Sequence, residues 1–242
     1  MSNLNDEQIK DEVKKAYSKV AEVSTSCCGP SSRKDLALQF GYEIEGVPET
    51  ATESFAGCGN PIVLASLKEG EVVLDLGSGA GLDAFVAARK VGEKGMVIGV
   101  DMTPAMLEKA RKAAEKAGLT NLDFREGDIE NLPVDDNSVD VIISNCVINL
   151  APDKSKVFKE AFRVLRPGGR LAISDIVLDN ELPASVRESV GNYTGCLGGA
   201  ILEDEYLGLI SEAGFEKVEV VDRAVFNLGV SAKISAYKPE AN

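Results

Sequence analysis

Histidine is absent from all 242 residues. That removes histidine general bases, histidine-dependent triads and every histidine-ligated metal site. Any chemistry is left to Cys, Asp, Glu, Lys, Tyr, Ser or a cofactor. Basic residues are in deficit: 26 Lys and Arg stand against 39 Asp and Glu, for a net charge of −13. Such a chain repels a phosphate backbone or an anionic bilayer, so neither nucleic acid nor a membrane is an expected partner. Long apolar runs are lacking. The longest, around Val139 to Ala151, is broken by Asp140, Ser144, Asn145 and Asn149 and falls short of the ~20 apolar residues that a membrane span needs. Cysteine is sparse: Cys27, Cys28, Cys58, Cys146 and Cys196 are odd in number and scattered, through a chain too long to need disulfide staples. No signal peptide precedes them, and a reducing cytoplasm is the expected compartment. The 44% hydrophobic content is ample for a core and excludes a disordered or fibrous chain.

There is no internal repeat and no low-complexity segment. Ile9, Val13, Ala16, Tyr17 and Val20 recur at helical spacing behind Asn5, a suitable N-cap, so an amphipathic helix opens the chain. From Val23 to Gly59 the sequence is rich in Ser, Thr, Gly, Pro and Glu, with one apolar patch at Leu36 to Phe40; this stretch is expected to be mobile or a lid. Asn60-Pro61 supplies an N-cap and a first-turn proline for a short helix from Ile62 to Leu67. Beyond Gly70 apolar strands alternate with amphipathic helices. Strands are expected at Val72 to Leu76, Met96 to Asp101, Leu122 to Arg125, Val139 to Ser144 and Gly169 to Val177. Helices are expected at Leu82 to Lys90, Pro104 to Ala117 (behind Thr103 as N-cap), Lys154 to Leu165 and Glu203 to Ala213. Two closing strands, Val218 to Val221 and Ala232 to Tyr237, follow without a helix between them, which implies a hairpin and an antiparallel last strand. The pattern is that of an α/β, doubly wound, mostly parallel sheet. Residues 1–66 form an N-terminal helix and a mobile cysteine-bearing cap, and residues 67–242 form the α/β domain, with a substrate-side insertion near 180–212.

Leu74-Asp75-Leu76-Gly77-Ser78-Gly79-Ala80-Gly81 sits where a strand turns into a helix, the place where a doubly wound sheet opens its ligand crevice. Glycines there allow close backbone approach. Asp101 follows Gly81 by 20 residues and stands at the end of the next strand, placed to accept ribose hydroxyls. No lysine follows the glycines, so a phosphate-binding loop is excluded. Asp75, two residues before the first glycine, would oppose a pyrophosphate and suit a cation. S-adenosylmethionine carries a sulfonium and an α-ammonium and no phosphate. The segment from Asp75 to Gly81 resembles motif I of the class I S-adenosylmethionine-dependent methyltransferases, a likeness that spans roughly Gly70 to Tyr237. The resemblance implies a seven-stranded Rossmann-like methyltransferase sheet. It makes Asp101, with Met102 beside it, the ribose side of the site, Gly127-Asp128-Ile129 the adenine-side loop, and Asn145 the residue facing the methionine part.

The cysteines add a second layer. Cys146 and Cys196 fall where that fold leaves its substrate mouth open. Cys58 lies in Gly57-Cys58-Gly59, whose glycines would free the thiol to swing, and Cys27-Cys28-Gly29-Pro30 is another such segment. Each cysteine alone also has a plain reading as a small buried hydrophobe, stronger for Cys146 than for Cys58 and Cys196. Soft thiolates select soft metals or metalloids, but the intervals of 30, 88 and 50 residues from Cys28 onward lack the close pairs of structural zinc sites. Trivalent arsenic takes three thiolates and keeps a lone pair, so it is a nucleophile that needs no general base.

The four segments around Cys27-Cys28, Cys58, Asn145-Cys146-Val147-Ile148-Asn149-Leu150 and Gly195-Cys196-Leu197-Gly198-Gly199-Ala200 closely resemble those of the arsenite methyltransferases over essentially the whole chain. The resemblance implies that Cys146, Cys196 and Cys58 bind arsenic and that one of Cys27 and Cys28 is a redox cysteine. The chain departs from that family in having Ser78 where another cysteine is common. It also ends soon after the methyltransferase core, without the extra C-terminal domain of longer members. The implied activity is methyl transfer from S-adenosylmethionine to thiol-bound arsenite, with arsenite and methylated arsenicals as substrates. Because methylation oxidises arsenic, a thiol reductant such as thioredoxin or glutathione is required, and a thioredoxin-type reductase becomes a transient partner. Two rivals remain: a C- or O-methyltransferase of the quinone-biosynthesis type that uses no thiols, and a non-catalytic thiol-based metalloid- or zinc-binding protein.

Overall fold

The computed structural model describes residues 4–22, 33–187, 189–226 and 228–241. Helix α1 (Asp6–Glu22) starts at a reciprocal cap: Gln8 N–H donates to Asn5 Oδ1 and Asn5 N–H donates to Gln8 Oε1, both at 2.9 Å. The segment beyond residue 32 carries two helices, α2 (Arg33–Gln39) and α3 (Glu49–Thr52). Tyr42 and Phe55 meet there edge to face at 5.4 Å. Helix α4 (Pro61–Ala65) is capped by the Asn60 side chain, which accepts from Ile62 N–H at 3.1 Å.

The rest is the alternation the periodicity predicts: β1 (Val72–Leu76), α5 (Leu82–Val91), β2 (Met96–Asp101), α6 (Pro104–Ala117), β3 (Leu122–Glu126), β4 (Val139–Asn145), α7 (Lys154–Val164), β5 (Leu165–Val177), the short helices α8 (Ala184–Arg187) and α9 (Val190–Thr194), α10 (Glu203–Glu212), β6 (Glu216–Phe226) and β7 (Gly229–Tyr237). Three expectations need correction. The Thr103 side chain caps nothing; its backbone N–H donates to Asp101 Oδ1 at 2.8 Å instead. The strand expected from Gly169 begins already at Leu165, straight after α7, so Pro167-Gly168-Gly169 lies within β5. The closing hairpin is much longer than its apolar centres, since β6 pairs with β7 almost end to end.

The sheet runs β3-β2-β1-β4-β5-β7-β6, parallel from β3 to β5 and antiparallel on both sides of β7. Alternate residues of β1 serve the two faces: Leu74 and Leu76 join α7 and α10 in one core, while Val73 joins α5 and α6 in the other. Strand order reverses between β1 and β4, so a crevice opens at their C-terminal ends, Leu76 and Asn145. A third apolar cluster, built from Val13 of α1, Tyr193 of α9, Leu150 and three cysteines, lies over that end. Among the described residues no helix is long and apolar enough to cross a membrane.

Candidate functional site

The crevice is lined by the β1–α5 loop, the ends of β2 and β4, the Gly127-Asp128-Ile129 turn and, as a cover, Lys10, Val13 and Tyr17 of α1. Gly77, Ser78, Gly79, Asp101, Met102, Gly127, Asp128, Ile129, Asn145 and Cys146 all face it. Gly77 (φ +63) has to be glycine because a Cβ there would lie 2.3 Å from the Val147 side chain. Gly79 (φ +53) faces open space, with nothing within 4 Å of such an atom. Asp101 orders both sides of the entrance, Oδ2 accepting from Gly79 N–H at 2.9 Å and Oδ1 from Thr103 N–H at 2.8 Å. Asp75 and Gly81 do not line the crevice. Asp75 is buried beneath the loop with Oδ2 unpartnered, and Gly81 packs close to the rings of Phe85 and Phe124.

The carboxylate that reaches the crevice from α5 is Asp83, which no sequence motif marks. It accepts from the Tyr42 hydroxyl at 2.5 Å and from Asn145 Nδ2 at 3.2 Å. Burial raises the carboxyls of Asp75, Asp83 and Asp101, Asp83 to about 6. Among the described residues no lysine or arginine neutralises any of the three. Asp83 and Asp101, which line the crevice without a cation around a loop with no lysine, suit a positively charged ligand and oppose a phosphate. That agrees with a sulfonium and an ammonium.

A pH test follows from Asp83. Its folded value lies above the 3.8 of a free carboxyl. As pH rises from about 4 to about 6 the unfolded chain loses this proton first, so stability falls through that window, by at most about 3 kcal/mol. Urea denaturation at the two ends of the window should show that Asp83→Asn removes this part of the slope; an unchanged slope would rule the assignment out.

The thiols converge in one buried cluster beside the crevice, Cys146 lining it and Cys58 and Cys196 lying outside its lining. Cys58, Cys146 and Cys196 are free and buried, at 1%, 5% and 3% exposure. Cys58 comes from the N-terminal segment and is docked against the sheet. Its N–H donates to Asn145 Oδ1 at 3.0 Å, its carbonyl accepts from Ser231 Oγ at 2.8 Å, and its thiol points at the Ser174 carbonyl at 3.7 Å. The flanking glycines permit that docking: a Cβ at Gly57 would lie 2.4 Å from the Asn145 amide, and one at Gly59 1.9 Å from Ser174 Oγ. In this structure they serve close approach, where the sequence reading gave them freedom to swing. The Cys196 thiol donates to the Cys146 carbonyl at 2.7 Å. Cys146 and Cys196 both adopt left-handed backbone, at φ +60 and +66, a conformation that costs a non-glycine residue on the order of 1–3 kcal/mol and clusters at functional sites. Burial pushes the Cys58 and Cys146 thiols up, and the neighbouring sulfurs push Cys146 further. Cys27 and Cys28 lie outside the described residues.

Around the thiols is a buried polar framework that no motif announced. Asn149 Nδ2 donates to Asp175 Oδ1 at 2.8 Å and to the Ile176 carbonyl at 2.6 Å, while the Tyr206 hydroxyl donates to Asp175 Oδ2 at 3.1 Å. On the far side of the crevice Lys10 of α1 pairs with Asp128 at 2.6 Å and Glu130 at 2.7 Å, tying the N-terminal helix across the 127–129 turn. These partners are distant in sequence and share no local pattern, which is why spacing alone did not find them.

Residues 67–214 match the family described as a methyltransferase domain. Over 99% of its length the chain is 40% identical to the arsenite methyltransferase of Halobacterium salinarum, of which it covers 69%. The chain belongs to the arsenite methyltransferase family. It is also 38% identical to the arsenite methyltransferase of Aquipseudomonas alcaligenes over 92% of its length and 37% identical to the human one over 89%, covering 66% and 60% of those proteins. It thus spans about two thirds or less of the length of these curated relatives. An arsenic(III) S-adenosylmethionine methyltransferase from Chlamydomonas reinhardtii superposes with a TM-score of 0.68 at 39% identity, over 88% of this chain and 75% of that one. As a family member the chain is an S-adenosylmethionine-dependent methyltransferase with the fold that motif I implied.

Proposed function

We propose that this member of the arsenite methyltransferase family methylates trivalent arsenic while Cys58, Cys146 and Cys196 hold it as thiolates, and that the activity serves arsenic detoxification. The observation that carries the reading is the convergence of three cysteines, far apart in sequence, into one buried group beside the cosubstrate crevice. Nothing in simple core packing asks for two of them in left-handed backbone.

The residues present fit S-adenosylmethionine. Asp101 and Met102 would hold the ribose side, Gly127, Asp128 and Ile129 the adenine side, the Gly77-Ser78-Gly79 backbone and Asn145 the methionine part, and the buried Asp83 carboxylate the positive charge. When bound, the cosubstrate supplies an electrophilic methyl group on a sulfonium. The chain's own contribution is positional. Three thiols replace the three hydroxyls of arsenite, each releasing water, and arsenic keeps its lone pair facing the crevice as the nucleophile. The apolar side chains of Val13, Leu150 and Tyr193 exclude water from this end of the site. Methylation takes arsenic formally to the pentavalent state, so two thiols must close a disulfide to return it to the trivalent state. Cys27 or Cys28 is the additional thiol for that step, and a thioredoxin or glutathione system is the reductant that resets it. Incubation of the protein with arsenite, S-adenosylmethionine and a thiol, followed by arsenic speciation, tests the reading. Methylated arsenicals are the expected product. Turnover of a carbon or oxygen nucleophile that survives Cys146→Ser and Cys196→Ser would replace arsenic as substrate.

Asp101 gives a second test. Asp101→Ala deprives the ribose hydroxyls of their acceptor, a loss of about 1.5–3 kcal/mol or roughly ten- to a hundredfold in S-adenosylmethionine affinity. It also frees the N–H groups of Gly79 and Thr103 that Asp101 now holds. Calorimetry showing unchanged affinity would remove Asp101 from the site.

A further inference from the structure

We propose that the thiol cluster, with Asp175 as its fourth donor, is also a tetrahedral site for a divalent cation of the zinc and cadmium class, and that such a cation excludes arsenite. This rests on reading Cys58, Cys146 and Cys196 as one arsenic-holding set, and it adds a donor that the set leaves unused. Sγ of Cys58, Sγ of Cys146 and a carboxylate oxygen of Asp175 lie within 4.8 Å of one another, all three residues buried. Cys196 adjoins them through its bond to the Cys146 carbonyl. Bond lengths of about 2.0–2.3 Å put the donors of a tetrahedral zinc site about 3.3–3.8 Å apart, so Cys58, Cys146 and Asp175 draw together from within 4.8 Å, and the Cys196 thiol, which stands outside that group, turns in from the Cys146 carbonyl as the remaining donor.

Asp175 is held as a ligating carboxylate usually is, by hydrogen bonds that fix its plane. Asn149 Nδ2 and Ile176 N–H donate to Oδ1, both at 2.8 Å, and the Tyr206 hydroxyl donates to Oδ2. Burial pushes the Lys154 ammonium down, and Asp175, Glu205 and Cys196 pull it back up, so where it stays charged it offsets part of the excess negative charge of three thiolates and a carboxylate around a divalent ion. Coordination number separates the two guests. Trivalent arsenic is complete with three thiolates and a lone pair, so an oxygen donor adds nothing to it. A zinc-class ion has no lone pair and fills all four positions. The wide cysteine spacing does not count against such a site, since close pairs are needed only where a local turn has to present two ligands at once.

Cadmium alone is the probe, titrated into the full chain carrying Cys27→Ser and Cys28→Ser and followed by sulfur-to-cadmium charge-transfer absorption. One ion per chain should bind, and arsenite should displace it. Asp175→Asn should weaken cadmium by about tenfold or more and leave arsenite affinity nearly unchanged. Cobalt(II) in the protein that retains Asp175 gives a check independent of how the variant folds, with the intense d–d bands of a four-coordinate site expected. Equal cadmium affinity in a folded Asp175→Asn protein, a parallel loss of arsenite affinity, or a cobalt spectrum that is not tetrahedral overturns the proposal. Failure of cadmium to bind while arsenite still does removes the cation site alone. Failure of arsenite to bind removes the arsenic reading on which it stands.

Discussion

Replacing Cys146 or Cys196 with serine should abolish methylation of arsenite and of trivalent monomethylarsenic alike, whereas Cys58→Ser should stop the first reaction and spare much of the second. The distinction follows from valence. Arsenite exchanges three oxygens for three thiolates, but its monomethyl product has one position fixed as carbon and takes only two. Cys146 and Cys196 come from segments locked together beside the crevice, the thiol of one bonded to the carbonyl of the other. Cys58 arrives from outside the sheet and is held through Asn145 and Ser231. The two reactions are to be measured separately with external thiol supplied, so that any shortage of reducing equivalents does not mask the second. A folded Cys58→Ser protein that binds S-adenosylmethionine yet loses both reactions equally would place Cys58 in the permanent pair.

Adding one methyl group at Gly199 should be nearly as damaging as removing the Cys196 thiol. A Cβ there would lie 2.0 Å from the backbone carbonyl oxygen of Asn149 and 3.1 Å from the Tyr193 ring. The first neighbour is main chain and has no rotamer to yield. The turn that presents Cys196 is thus pressed directly on the turn that follows Cys146, and Gly199→Ala has to part them. Overpacking of this kind typically costs about 1–3 kcal/mol, and the separation is expected to bring arsenite methylation down to the level of Cys196→Ser while the Gly77-Ser78-Gly79 side keeps its affinity for S-adenosylmethionine. Thermal denaturation and calorimetry would separate the two effects. Wild-type methylation rates in a folded Gly199→Ala protein would show that the two turns need not touch for catalysis.

Much of this site was legible because its signals are local. The Asp75 to Gly81 run marks a strand-to-helix turn by itself, and Asp101 is found by counting along the next strand. Asn60-Pro61 caps its helix with atoms two residues apart. Asp83 escaped notice because nothing in Gly81-Leu82-Asp83-Ala84 distinguishes it from any first-turn acid; its meaning lies in Tyr42 and Asn145, both tens of residues away. Asp75 and Asp83 both flank the glycines in sequence, and only the fold shows that Asp83 is the one that reaches the crevice. The glycines around Cys58 are ambiguous in sequence for a related reason. A glycine tolerates both motion and contact, and only the presence of Asn145 and Ser174 against it tells which applies.

By itself the sequence determined the alternation of strands and helices, the motif I turn, the absence of histidine chemistry and the identity of the thiols, all consequences of residue type and short-range period. The tertiary structure decided what the thiols form. Intervals of tens of residues carry no distance information, because the docking of the segment before α4, the end of β4 and the α9–α10 connection set where residues 58, 146 and 196 end up. Only packing could bring Asp175, Asn149, Tyr206 and Lys154 around them, and it does so because a buried polar group must find its partner wherever the fold leaves one.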